Sequence, residues 1–362
     1  MKIKQLPEDF IVKEISSVKP LGQGEHVWCT LKKTDWDLLK LVKLIAEKLQ
    51  ISRSRIGYAG TKDKVAVTYQ TISFFNISPE KIRNLNIKGA EFSDFEYNQR
   101  AIKLGELKGN WFSITVRDLE AKYNKEFLDR KVKEIEKRGV VNLFDSQRFG
   151  TRNITHLVGK EIMKGNIPEA VFLYLTKTNK DEKEEVRKAR VFLEKTEDFS
   201  EAINLFPKYQ KWDIAILNHL IQYPEDYAGA IKILPKTLQL MFIHAYQSYL
   251  WNLTVLEYDK KHPGENIKIP MVGFNTKLGN SEVDKSIKRI LNKEKMGLED
   301  FKIKEIPYLS SSGSTRNILV FPENPKYKIE KDELNKGKNK AIIEFELPKG
   351  SYGTHVVKEI FD

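Results

Sequence analysis

A chain of 362 residues in which 62 Lys and Arg face 50 Asp and Glu carries a formal charge of +12. That excess points to a polyanionic partner, nucleic acid first among them. One cysteine, Cys29, excludes an internal disulfide and a thiolate metal cluster and suits a reducing, cytoplasmic setting. No stretch of about twenty apolar residues occurs, so no membrane span is expected. Six scattered histidines without H-x-x-x-H spacing argue against a metal site. Absence of a G-x-S-x-G elbow argues against serine hydrolase chemistry.

The N-terminal part reads as mixed strands and helices. Strands are expected around residues 10–12 and 25–31, then a helix from about Asp35 with Thr34 and Asp37 as a capping pair. Leu38, Leu41, Ile45 and Leu49 lie at helical spacing along it, and residues 65–75 read as the next strand. A second helix spans about 124–138 and stops at Gly139, before the apolar run 140–144. Between about 151 and 308 the pattern turns helical and heavily charged, notably at 177–196, 238–258 and 285–292. Polar residues His244, Gln247, Ser248 and Asn252 mark residues 238–256 as a buried helix. β-like alternation returns at 317–321 and 341–347. The expected class is α+β, in which the chain leaves a sheet domain, builds a helical lobe and comes back, with a cleft between the two.

The helix and strand near the N-terminus are joined by Gly57-Tyr58-Ala59-Gly60-Thr61-Lys62-Asp63-Lys64. This loop sets one acid among lysines. Its two glycines are expected to give the backbone conformations closed to other residues, and the cations suit an anionic side chain while attracting phosphate. The same residue types also make ordinary turns. The spacing is not that of a phosphate-binding P-loop, because no hydroxyl follows the lysine.

Three stretches together resemble the TruD family of tRNA pseudouridine synthases, in its archaeal form. The loop continues through Val65-Ala66-Val67-Thr68, similar to the family's G-x-x-G-x-K-D-x-x-A-x-T. Asn142-Leu143-Phe144-Asp145-Ser146-Gln147-Arg148-Phe149-Gly150 resembles N-[YF]-F-G-x-Q-R-F-G. Leu347-Pro348-Lys349-Gly350-Ser351-Tyr352-Gly353-Thr354, with Lys358-Glu359, resembles L-P-x-G-S-[YF]-A-T…R-E. The motifs fall in family order and span nearly the whole chain. Leu143, Asp145, Gly353 and Lys358 depart from the pattern.

The resemblance implies a pseudouridine synthase core with a mixed sheet, formed by residues 1–151 and 316–362, and an inserted, mostly helical α/β domain at 152–315. It implies isomerisation of uridine, at position 13 of tRNA, without metal or cofactor, by a monomer. Asp63 matches the family's catalytic acid, as nucleophile or as base. Lys4, three residues before Pro7-Glu8-Asp9-Phe10, matches a lysine that pairs with it, although an ordinary surface lysine fits the position too. Phe144 would stack on the target uracil or else fill the core, and Asn142 would meet a uracil edge or backbone. Lys62 and Lys64 would contact phosphates; Arg148 would meet RNA or hold its own loop. The apolar members of Tyr246-Gln247-Ser248-Tyr249-Leu250-Trp251-Asn252, similar to a family helix, read as packing, with RNA stacking as the alternative. A noncatalytic RNA-binding or chaperone protein on the same fold is the alternative, and a helical interaction scaffold a more distant one.

Overall fold

Strand alternation in the two ends of the chain produces a single nine-stranded sheet. Its main path runs Glu323–Lys331, Asn339–Pro348, Leu107–Leu119, Phe10–Ser16, Val67–Phe75, His26–Thr34, Ala90–Asn98. The short strands Lys2–Ile3 and Ile56–Tyr58 add to Leu107–Leu119 and Val67–Phe75. Phe10–Ser16 runs parallel to Val67–Phe75, with Ile11 opposite Val67, whereas its other neighbour, Leu107–Leu119, is antiparallel. The sheet is therefore mixed.

The computed structural model describes residues 1–362, which form two compact units: Met1–Val140 with Val320–Asp362, and Val141–Leu319. These divisions fall before the expected 151/152 and after the expected 315/316. The stretch carrying Asn142, Phe144 and Arg148 accordingly belongs to the second unit.

In the first unit, Leu38, Leu41, Val42 and Ile45 of the Leu38–Leu49 helix pack with Val27, Cys29, Leu31, Ile72 and Phe74 of the sheet. Leu128 and Ile135 of Lys125–Arg138, and Val356, Val357 and Ile360 of Gly353–Phe361, share a second cluster with Phe10, Val12, Phe112 and Ile114. Burying side chains of this size contributes about 1.5–3 kcal/mol each. The Leu38–Leu49 helix differs from expectation at its start. Asp37 alone caps it, accepting from the Lys40 N–H at 2.9 Å, while Thr34 still belongs to the preceding strand, opposite Val67.

The second unit is mainly helical, built around the 26-residue helix Lys236–Lys261, which buries Phe242, Ile243, Tyr246, Leu250, Trp251 and Val255. A two-stranded antiparallel ribbon, Lys268–Met271 with Ser314–Asn317, completes it. Helix is absent from residues 177–183, where Asn179 Oδ1 accepts the Asp181 N–H and its carbonyl accepts from Glu182, so the helix begins only at Glu184. No helix of the chain is long and apolar enough to cross a membrane.

Candidate active site

Asp63 follows the Ile56–Tyr58 strand and precedes Val67–Phe75. Lys4 Nζ donates to Asp63 Oδ1 at 2.9 Å, with the lysine side chain 18% and the aspartate 29% exposed. Lys4 reaches this position from a left-handed backbone, φ 61°, at the end of the Lys2–Ile3 strand, and its ammonium lies 3.9 Å above the Phe10 ring. A cation on an aromatic face retains favourable electrostatics as it loses water. Asp63 Oδ2 has no protein hydrogen-bond partner. One carboxylate oxygen is thus anchored and the other open to chemistry.

Behind the loop stands a residue that motif matching does not single out. Lys33 is fully buried, and its ammonium donates to the Asp63 carbonyl at 2.7 Å and to the Trp36 carbonyl at 2.8 Å. Burial pulls its pKa down to about 8, against the attraction of Asp63 and Asp37. A sequence signal for it exists: Val27, Cys29, Leu31 and Lys33 share the inward phase of one strand, so a charge interrupts a hydrophobic row.

Lys62, expected on phosphate, turns inward instead. Its Nζ meets Glu14 Oε2 at 2.6 Å, the two side chains being 6% and 1% exposed, and Glu14 Oε1 also accepts the Thr71 N–H. The reason is again strand phase, since Glu14 lies on the same face as Phe10 and Val12 and needs a buried counter-charge. Lys64 is exposed and remains available to a polyanion.

The loop glycines also work differently from expectation. Neither Gly57 nor Gly60 adopts a left-handed φ. Gly57 is required by close packing, because a Cβ would press on the Ile102 backbone and Ser73 Oγ.

In the second unit the residues around Phe144 form a tight network. The ring is 9% exposed, with the Arg316 guanidinium 4.3 Å and that of Arg148 5.6 Å from its centroid. Asn252, on the long helix, accepts the Phe144 N–H through Oδ1 and donates to its carbonyl through Nδ2, both at 2.9 Å. Asn142 uses its amide within the protein: Nδ2 donates to the Asn317 carbonyl at 3.1 Å and Oδ1 accepts from Arg316. Of the two partners expected for Asn142, a uracil edge or backbone, the structure shows backbone, together with Arg316. Arg148 Nε donates to Ser248 Oγ of the long helix at 3.1 Å.

Two of the four departures from the family pattern have local reasons. Asp145 caps the one-turn helix Ser146–Phe149 through Oδ1 and the Ser146 N–H. At Gly353 a Cβ would crowd the Phe112 ring and Ile114 Cδ1.

Comparison with known proteins gives the same grouping. The family model for tRNA pseudouridine synthase D (TruD) matches residues 1–265 and 259–360. The chain belongs to the TruD family. Among curated relatives, a probable tRNA pseudouridine synthase D of Methanosarcina acetivorans is 37% identical, covering 99% of this chain and 92% of that protein. One from Methanocaldococcus jannaschii is 33% identical over 99% and 95% of the two chains. The crystal structure of a putative TruD from Methanosarcina mazei superposes with a TM-score of 0.82 at 35% identity, covering 99% of this chain and 93% of that one. The mixed-sheet α+β architecture is thus that of a TruD pseudouridine synthase.

Proposed function

We propose that this protein isomerises uridine to pseudouridine in tRNA, with position 13 as the target, and that Asp63 is the reacting carboxylate. The observation that carries the reading is the Lys4–Asp63 pair, in which one oxygen is anchored at 2.9 Å and Oδ2 has no protein partner. The reaction breaks the N1–C1′ bond of uridine, turns the base and joins C5 to C1′. The C5 proton leaves to solvent and N1 gains one, so no net oxidation occurs. A positioned carboxylate supplies the chemistry, either by attacking the nucleoside or by accepting a proton.

Each neighbour has a stated part. Lys4 orients the carboxylate, Lys33 fixes the backbone of the same residue, and the Lys62–Glu14 pair ties the preceding residue to the sheet. Lys64 contributes sequence-independent phosphate attraction. Within the second unit, Phe144 carries an apolar face of the kind on which an unpaired base stacks, with the Arg316 guanidinium now lying over the ring.

The experiment is tritium release from C5-labelled uridine in an unmodified tRNA transcript, with wild type and Asp63→Asn in parallel, followed by mapping of the modified nucleotide. Release by wild type alone, mapped to uridine 13, is the expected result. A fully active Asp63→Asn removes the carboxylate assignment. Tight tRNA binding without release favours the noncatalytic RNA-binding reading.

A further inference from the structure

A concavity of about 880 Å³ in the second unit lies between the Ser146–Phe149 turn, the start of the Thr155–Met163 helix and the long helix. Phe149, His156 and Tyr249 form its aromatic side and Gln147, Thr151 and Asn153 its polar side. The volume is in the range of small-ligand sites. None of its eight lining residues is Lys, Arg, Asp or Glu. In a chain of net charge +12, such a lining does not select a phosphate.

The lining suits a flat, uncharged heterocycle. His156 stacks on Tyr249 at 4.8 Å between centroids and 27° between planes, and Phe149 meets the same imidazole edge-on at 5.0 Å. Phe149 and Tyr249 are only half-buried and present π surface to a ligand. His156 is buried to 8% exposure, yet its Nδ1 has no hydrogen-bond partner in the protein. A buried polar nitrogen without a partner costs about 1–3 kcal/mol. Burial also lowers the pKa of the ring, outweighing Glu294, so that near neutral pH His156 is an uncharged group able both to donate and to accept. Stacking rings joined to neutral donors and acceptors, with charge excluded, is the chemistry by which proteins hold unpaired bases.

We propose that this concavity is a second base-binding subsite, which takes one unpaired nucleobase of the RNA substrate against Phe149 and Tyr249, with the amides of Gln147 and Asn153 reading its edge. The proposal rests on the chain acting on RNA, but not on Asp63 being the reacting group.

The test pairs affinity with cross-linking. Tyr249→Ala and Phe149→Ala should each weaken tRNA binding roughly 5- to 100-fold, the range for loss of one base–aromatic stack. The slope of log affinity against log salt should not change, because no phosphate contact is lost. Tyr249→Phe should bind as wild type. In case the alanine variants fail to fold, the wild-type protein is irradiated with tRNA carrying 4-thiouridine and the cross-linked peptide mapped. Cross-links to residues 146–153 or to Tyr249 are expected. Unchanged affinity in folded alanine variants, a shallower salt slope, or cross-links confined to other segments would overturn the subsite. So would free nucleoside monophosphates filling it without competing with tRNA. A wild type that binds and cross-links here but releases no tritium would refute the isomerase reading while leaving the subsite standing.

Discussion

Asn252 grips Phe144 by both ends of its backbone, Oδ1 accepting the N–H and Nδ2 donating to the carbonyl, each at 2.9 Å. The two residues are 108 positions apart in sequence. These bonds fix the Phe144 backbone, and the guanidinium groups of Arg148 and Arg316 lie 5.6 and 4.3 Å from the centroid of its ring.

Asn252→Ala removes both bonds, a loss of about 2 kcal/mol at roughly 1 kcal/mol for each neutral bond. The melting temperature should fall by a few degrees. Single-turnover isomerisation should slow about tenfold while tRNA affinity changes less than threefold. A wild-type rate in this variant would show that the clamp does not set the position of Phe144.

Lys33→Met should lower the isomerisation rate at least tenfold, since the Asp63 and Trp36 carbonyls lose their donor. Its stability signature is separate. The folded pKa, about 8, lies below the ordinary lysine value, so between pH 8 and about 10.5 the unfolded chain binds more protons. Lys33 therefore makes stability rise with pH across that window, by about 3 kcal/mol in total. Melting curves from pH 7 to 10.5 should show that rise in wild type and lose it in Lys33→Met. Parallel curves for the two proteins would contradict a charged, buried Lys33.

Lys62 and Lys64 should separate cleanly. Lys62→Ala strands a buried Glu14 carboxylate and should cost about 3–5 kcal/mol of stability, whereas Lys62→Met with Glu14→Gln should recover much of it. Lys64→Ala should leave melting unchanged, weaken all tRNAs alike and reduce the salt slope by about 1. Denaturant titration and binding at several salt concentrations read the two effects. A stable Lys62→Ala with a reduced salt slope would return Lys62 to the phosphate role.

Acid sensitivity should come from a second ionic cluster in the first unit, built on the buried Arg117, Asp9 and Asp332 with the exposed Glu333. Arg117 binds Asp9 through Nε at 2.9 and 3.0 Å, and Asp332 and Glu333 through its terminal nitrogens, each at 2.9 Å. Although burial opposes it, hydrogen bonds from the Asp118 N–H, Asn335, the Leu334 N–H and Arg117 hold Asp332 well below the usual carboxylate range; Arg117 and Lys340 hold Glu333 at about 2. Both folded pKa values lie under the unfolded ones. Their stabilisation is complete above about pH 5 and disappears as pH falls through 4 toward 2. Asp332→Asn should flatten that fall in thermal melts, and an unchanged acid slope would exclude Asp332 as its source.

Local pattern made much of this readable from sequence. The helix expected from about Asp35, the buried helix expected over 238–258 and the strand expected over 341–347 correspond to Leu38–Leu49, Lys236–Lys261 and Asn339–Pro348. What spacing could not show depends on partners distant in the chain. Glu14 claims Lys62 from 48 residues away, and Arg316 claims Asn142 from 174. Gly57 is needed for its missing side chain and not for its backbone freedom, a distinction visible only once Ile102 and Ser73 lie beside it.

The sheet that carries Asp63 draws two strands, Glu323–Lys331 and Asn339–Pro348, from beyond residue 320, the latter paired along the whole of its length with Leu107–Leu119. Residues 141–319 are synthesised in between and form a continuous unit. During translation, therefore, the later-made segment can fold while the earlier-made one waits for its last strands. The Lys2–Ile3 strand and the loop at 57–64 find their immediate partners in Leu107–Leu119 and Val67–Phe75, whereas one edge of their sheet is completed only when synthesis is nearly over. The last strands to be made therefore close one edge of a sheet whose other strands are already on hand.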